Sequence, residues 1–295
     1  MAKLALGTAQ FGFDYGINNL RGKVPPKEVE AILDQARVAG IDMLDTAAAY
    51  GESEAIIGDY LKRSKSTFNV ISKLPKCLAS EIDEFILKSL ELLGLKQIYG
   101  CLVHDFASFM TDCSIWKSLQ GFQAAGKIKK IGFSLYYPKE LDYLLEKGIR
   151  FDLVQVPYNL FDQRFEGYFN DLQKRDVEVH IRSVFLQGLV FKKLEDLAPE
   201  FSSFENKLRR LHQLSAEHSL SVVNLCLNFC MTNKNIDRAV IGVDSLDNFI
   251  EIIKAAKETE KVKLLYRELE ELKEDNENLL IPSNWERLHI GANKT

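Results

Sequence analysis

Eight short runs rich in Ile, Val and Leu punctuate the chain, and longer segments whose apolar residues recur at helical spacing separate them. The runs are LALGT (4–8), IDMLDT (41–46), FNVISKL (68–74), IYGCLVH (98–104), IKKIGFS (128–134), FDLVQV (151–156), VEVHIRS (177–183) and RAVIGV (238–243). Eight strands alternating with helices is the count of a closed parallel barrel, so the expected fold is α/β, a (β/α)8 TIM barrel. The length of 295 residues exceeds the usual domain size, yet barrels of this size form one unit. No linker or repeat interrupts the pattern, and residues 1–295 are expected to make a single barrel domain.

The intervening segments read as sound helices. Residues 25–40 open with prolines, carry Val29, Ile32, Leu33 and Ala36 on one face and stop at Gly40. Residues 80–95 place Ser80 and Asp83 in capping positions and Ile82, Phe85, Ile86 and Leu90 on one face. Segments 111–128 and 137–149 close near Gly126 and Gly148. The chain between the seventh and eighth strands is longer than one crossover needs. A loop over 185–202, a helix near 203–218 and another near 221–232 are expected there, the extra length reading as a lid or substrate loop. Beyond residue 258 a charged tail, helical in period to about 274, is expected to pack outside the barrel.

Composition narrows the function classes. The net charge is -4 and the basic residues are dispersed, which argues against nucleic acid as a partner. No apolar stretch approaches a membrane span and the first residues lack a leader's apolar core, so a cytoplasmic protein without a membrane partner is expected. Cys77, Cys101, Cys113, Cys226 and Cys230 show no zinc-like spacing with the five histidines. They read as reduced, structural thiols, and no metal site is expected.

In a barrel of this kind, catalytic groups sit where strands end at the C-terminal face. The second run ends at Asp45 with Tyr50 just beyond, the third run ends near Lys73, and the fourth ends at His104. Singly, each has an ordinary structural reading: a turn aspartate, a rim aromatic, a solvated lysine, a core histidine. Their coincidence on three consecutive strands points to chemistry instead. An adjacent ammonium favours the ionised form of a phenol and lowers its pKa from about 10. An aspartate keeps that ammonium charged and positioned, and a histidine can bond the substrate oxygen or relay a proton. The set suits delivery of a proton to a developing alkoxide. Such chemistry needs a separate hydride donor, a nicotinamide or a flavin. No GxGxxG is present, and GINNLRGKV (16–24) has the wrong spacing for a phosphate loop. Cofactor phosphates can instead sit in the loops after strands seven and eight, here SVFLQGLV and IGVDSLDN.

These residues resemble the aldo-keto reductase family. LDTAAAYGESEAIIG is similar to its second-strand signature, ISKL to its lysine strand and LVHD to its histidine strand. IGFS, LVQVPYNLFDQR, IRSVFLQGLV and VIGVDSLDNFIE look like its fifth to eighth strands, in order, over about residues 3–255. The resemblance implies a metal-free reductase of aldehydes or ketones that uses NADPH or NADH. It implies Tyr50 as general acid, Lys73 and Asp45 as its tuning pair, and His104 as the group that orients the carbonyl. Ser134 and Gln155 would bond the nicotinamide carboxamide, and Arg182 would stand where an aromatic usually stacks on that ring. Gly188 would let the pyrophosphate approach, while Gly242, Asp244 and Ser245 would face the adenosine end.

The chain departs from that family's pattern in four places. Leu135 replaces the asparagine that usually follows the fifth-strand serine. Arg182 replaces the stacking aromatic, and it either favours an anionic substrate or turns away into an ion pair. Asp244 and Asn248 stand where many members place basic residues, so NADH is expected to serve at least as well as NADPH. The family's extra N-terminal hairpin is expected to be short or absent, because the first strand begins almost at Lys3. Phe11, Phe13 and Tyr15 read equally as rim or pocket aromatics, and Gln10, Asp14, Asn159 and Arg182 suggest a polar substrate such as a sugar or nucleotide-linked keto sugar. A regulatory subunit that binds the cofactor with little turnover is the alternative.

Overall fold

In the computed structural model, which describes residues 3–285, eight parallel strands close into a barrel in sequence order. They are β1 (Leu4–Gly7), β2 (Met43–Asp45), β3 (Asn69–Leu74), β4 (Ile98–Val103), β5 (Ile128–Ser134), β6 (Leu153–Pro157), β7 (Glu178–Arg182) and β8 (Arg238–Gly242). Closure comes from β1 pairing with β8, with Leu4 opposite Ala239 and Gly7 opposite Gly242. Every expected run contains a strand, but the ends fray. The second run keeps only three residues in the sheet, and His104 lies just past β4. Residues 1–2 and 286–295 of the expected domain lie outside the described residues.

Side chains alternate across each strand, which sorts the barrel into layers. Ala5, Met43, Ile71, Leu102, Leu153 and Val240 form a compact inner cluster distinct from the core under the helices. Their neighbours Leu4, Leu6, Leu44, Val70, Val154 and Ile241 face outward into that larger core. Full burial of each aliphatic side chain contributes roughly 2 kcal/mol. Two residues further along each strand the inward position is Gly7, Asp45, Lys73, His104, Gln155 or Gly242. Period two therefore stacks the polar layer directly above the apolar one.

The opposite end of the interior is plugged by Glu178. Its carboxylate accepts from Tyr99 Oη at 2.6 Å and Lys130 Nζ at 2.9 Å, and the buried ring of His180 lies 3.3 Å away. Burial alone would raise this carboxyl, but the contacts with His180, Tyr99 and Lys130 hold it down to about 2.

Nine helices matter for placing the rim: α1 (Pro26–Val38), α2 (Ser53–Ser64), α3 (Ile82–Leu93), α4 (Ser114–Ala124), α5 (Pro138–Glu146), α6 (Glu166–Lys174), α7 (Glu205–His218), α8 (Val222–Thr232) and α9 (Leu246–Ala255). In α1 the buried residues are Val29, Ile32, Leu33 and Ala36, the face read from the sequence. At α3 the expected caps Ser80 and Asp83 give way to Glu81, whose carboxylate accepts from the Leu78 N–H at 2.7 Å.

Residues 185–202 are not an open loop. They wind into short 3-10 segments at Leu186–Phe191, kinked at Gln187 and Gly188, Leu194–Asp196 and Pro199–Phe204, with Leu186, Leu189, Val190, Phe201 and Phe204 all buried. The tail is likewise broken into short helices at Thr259–Lys263, Tyr266–Glu270 and Glu277–Leu280. It packs outside the barrel through Val262, Leu269, Leu279 and Leu280, and Arg164 reaches Glu277 at 2.7 Å. Cys101, Cys226 and Cys230 are buried free thiols, whereas Cys113 is exposed. Among the described residues no helix is long and apolar enough to cross a membrane.

Candidate active site

The buried charge pair at the top of β2 and β3 anchors the site. Asp45 and Lys73 are both inward-facing and almost wholly buried, and Lys73 Nζ lies 2.5 Å from Asp45 Oδ1. The ammonium also donates to the Thr46 carbonyl at 2.9 Å, and the second Asp45 oxygen accepts from Gln155 Nε2 at 2.7 Å. Burial works against the charged lysine, but Asp45 and the nearby phenol of Tyr50 outweigh it and leave its pKa raised. The lysine charge is thus retained, in direct contact with Asp45, in a place where an unpaired charge would be strongly disfavoured.

Tyr50 sits on the turn that follows β2, held by its N–H to the Ala47 carbonyl at 2.9 Å. The ammonium of Lys73 lies 5.0 Å from the centre of its ring. Phe13 and His104 meet that ring edge-on, at 5.8 Å and 6.2 Å between centroids. His104 is pushed down to about 3 by burial, with Lys73 and Arg182 adding to the effect, so its imidazole is neutral at ordinary pH. The turn itself rests on Gly12 in the one-turn helix Ala9–Gly12. A Cβ on that residue would lie 1.6 Å from the Tyr50 carbonyl oxygen. Gly12 thereby sets the height of Tyr50, and the sequence reading passed over it because nothing local marks a contact that forms 38 residues away.

One cavity of about 400 Å³ opens on this corner. Tyr50, His104, Gln155 and Arg182 line it together with Gly188, Gly242 and Asp244. Asp45 also reaches the lining, while Lys73 and Ser134 lie behind it. Ser134 is the register partner of Gln155, and its buried hydroxyl has no hydrogen-bond partner. Ser245 does not face the cavity. Its hydroxyl caps α9 by accepting from the Asn248 N–H at 3.1 Å. Leu135 is fully buried and lends only its backbone.

Of the polar groups expected around a substrate, Gln10 and Arg182 line the cavity and the other two do not. Asp14 is exposed on the rim. Asn159 is buried, donating to the Ser183 carbonyl at 2.9 Å and accepting from Phe161 and Asp162 N–H groups. Of the three rim aromatics, Tyr15 lines the cavity, Phe13 packs on Tyr50, and Phe11 is core. Arg182 makes no ion pair with a described carboxylate. Its guanidinium lies 4.1 Å above the Tyr136 ring and donates to the Leu135 carbonyl at 3.0 Å.

The segment after β7 is strained. Ser183, Leu186, Gln187 and Gly188 all have positive φ, at 63°, 45°, 51° and 90°. Such residues cost on the order of 1–3 kcal/mol each when not glycine, and they persist where surrounding contacts fix them. Gln187 donates to the Tyr15 hydroxyl at 3.0 Å, and a Cβ on Gly188 would lie 2.7 Å from that of Asn18. The loops after β1 and β7 therefore meet over the cavity. At the far wall, Glu28 of α1 accepts from the Leu246 N–H at the start of α9, 3.0 Å away, and is paired with Arg21 at 2.9 Å. Nothing local in the sequence marks Glu28, since α1 and α9 are remote in the chain.

The residues present fit a nicotinamide cofactor. The orphaned hydroxyl of Ser134, just behind the lining, and the Oε1 of cavity-lining Gln155, whose Nε2 is taken by Asp45, are the donor and acceptor a carboxamide would need, and the buried Gln10 Oε1 lacks a partner as well. No group of three His, Cys, Asp or Glu side chains among the described residues is placed to hold a metal ion.

Comparison with known proteins places this geometry in context. The model of the "Aldo/keto reductase family" matches residues 3–274. An uncharacterized oxidoreductase, YqkF, of Bacillus subtilis (strain 168) is 23% identical, over 87% of this chain and 91% of the relative. L-galactose dehydrogenase of Arabidopsis thaliana is 24% identical, over 90% and 91% respectively. Among solved structures, the holo form of aldo-keto reductase AKR11C1 from Bacillus halodurans superposes with a TM-score of 0.70 at 19% identity, covering 89% of this chain and 91% of that one. Its apo form gives 0.65 at 21% identity, covering 82% and 87%.

Proposed function

The chain belongs to the aldo/keto reductase family, and from that premise we propose that it reduces an aldehyde or ketone to an alcohol, or runs the reverse oxidation, with NADH or NADPH. The observation that carries this reading is the wholly buried Asp45–Lys73 pair beneath a phenol that lines the cavity beside a neutral histidine.

When bound, the nicotinamide supplies the hydride that the carbonyl carbon accepts. Ser134 and Gln155 would hold its carboxamide, with the loop around Gly188 against its phosphates. Tyr50 Oη gives its proton to the carbonyl oxygen as charge develops there. Lys73, 5.0 Å from the ring, stabilises the negative charge left on the phenol, and Asp45 keeps the lysine charged and aimed. A neutral His104 can donate one hydrogen bond to the carbonyl oxygen without competing as an acid. The meeting of the loops after β1 and β7 narrows the access of water to the cavity. The barrel and its flanking helices are read as acting together as one domain.

The adenosine end favours NADH at least as much as NADPH. Asp244, Asn248 and Glu251 line the cavity, and with Gly242 they are read as the part that would face the adenosine. Glu28 already occupies the N-terminus of α9 as an internal anion, its carboxyl held below the usual range chiefly by the Leu246 N–H, and it engages Arg21. A 2'-phosphate would meet carboxylates there, while a ribose hydroxyl could donate to one. Quenching of protein fluorescence should give a Kd for NADH no weaker than that for NADPH, and a clear NADPH preference would overturn this part. A sugar or nucleotide-linked keto sugar is proposed as substrate, supported by the polar Gln10 and by the L-galactose dehydrogenase relationship. The test of the whole reading is consumption of NADH or NADPH against a panel of aldehydes, ketones and sugars. Turnover is expected with at least one, and none with any would overturn it.

A further inference from the structure

Charge is unevenly shared around the cavity. At the Tyr50 end, Lys73 is neutralised by Asp45 in direct contact, and His104 is uncharged. Arg182 is left as the one cavity-lining cation there with no described carboxylate partner. Its guanidinium carries five N–H donors, of which one is used among the described residues, by the Leu135 carbonyl at 3.0 Å. The Tyr136 ring, 4.1 Å below the guanidinium carbon, fixes its plane and leaves the fork free along its edge. A half-buried cation that lines the cavity, held flat on an aromatic ring, can receive a planar anion by two parallel hydrogen bonds.

We propose that Arg182 is a substrate-recognition residue and that the physiological substrate carries a carboxylate in addition to the carbonyl that is reduced. The inference rests on the reductase reading for the carbonyl, but the anion site stands on Arg182, Tyr136 and Leu135 alone. The carboxylate docks against the guanidinium, and the carbonyl turns toward Tyr50 and His104 in the same cavity. Gln10, whose Oε1 has no partner, would accept a hydroxyl along the way.

Two matched pairs of probes isolate the carboxylate: succinic semialdehyde against butanal, and glucuronate against glucose. The ratio of kcat/KM, acid over neutral, should be at least tenfold in favour of the acid within each pair. Arg182→Gln, which keeps a donor for the Leu135 carbonyl, should collapse that ratio toward one, and Arg182→Lys should restore part of it. A second readout needs no turnover: isothermal titration with succinamate and butyramide, which share an amide in place of the aldehyde. Succinamate should bind at least tenfold tighter, and Arg182→Gln should abolish the difference. If the acid and neutral probes are equivalent in both measurements, the proposal is overturned. It is also overturned if Arg182→Gln weakens the Kd for NADH tenfold while the acid-to-neutral ratio stays put, because Arg182 then serves the cofactor. Should succinamate bind through Arg182 while no probe is reduced, the anion site stands and the reductase reading falls.

Discussion

Replacing Lys73 by methionine separates the electrostatic role of the lysine from its structural one. Methionine keeps most of the volume and removes the charge. At about 5 Å and an effective dielectric of about 20, a unit charge stabilises a phenolate by about 3 kcal/mol, or roughly two orders of magnitude in rate. The distance used is the 5.0 Å from Lys73 Nζ to the Tyr50 ring centre. The same substitution strands Asp45, which among the described residues keeps only Gln155 as a side-chain partner. Removing one member of a buried ion pair costs about 3–5 kcal/mol, a large share of the 5–15 kcal/mol typical of a whole domain. Urea unfolding should therefore show Lys73→Met to be markedly destabilised, and kcat should fall about a hundredfold or more. Adding Asp45→Asn removes the stranded charge. The double variant should regain most of the lost stability and none of the lost turnover. The reasoning fails if Lys73→Met keeps kcat within tenfold of the parent, or if activity returns together with stability in the double variant.

Gly12→Ala should lower kcat by about a hundredfold, because its Cβ would lie 1.6 Å from the Tyr50 carbonyl oxygen and a shift of about 1 Å at the acid carries a penalty of that size. Steady-state kinetics check this, and an unaltered kcat would contradict the height-setting role. His104, held down at about 3, should give no inflection near its ordinary value in the pH profile of kcat/KM between 5 and 8. The sign for stability follows from the same shift. The unfolded chain takes up a proton near 6.5 and the folded one does not, so His104 lowers stability as pH falls from about 6.5 toward 3. Replacing it with glutamine should flatten that part of the urea-midpoint profile, whereas an unchanged slope would assign the effect elsewhere.

The barrel and the polar layer were legible because both follow from period two along short apolar runs. Asp45 stands two residues above Met43, Lys73 above Ile71, His104 above Leu102 and Gln155 above Leu153, so one alternation that buries the lower residue aims the upper one into the barrel mouth. What escaped was set by contacts between distant segments. Gly12 under Tyr50, Glu28 on α9 and Asn18 against Gly188 leave no local pattern. Asn159 misled for a related reason: its polarity suggested a substrate contact, but it satisfies the backbone of Ser183, Phe161 and Asp162. Residues 185–202 were read as open loop because 3-10 turns bury apolar residues at a spacing that neither helix nor strand period detects.

The claim at the centre of this account is that the phenol of Tyr50 delivers the proton, and Tyr50→Phe addresses it with the loss of one atom. Turnover of the best carbonyl substrate and the Kd for NADH should be measured side by side. The account predicts that turnover falls by at least a hundredfold while the Kd for NADH changes less than threefold. A variant that reduces the same substrate at the parent rate would contradict it.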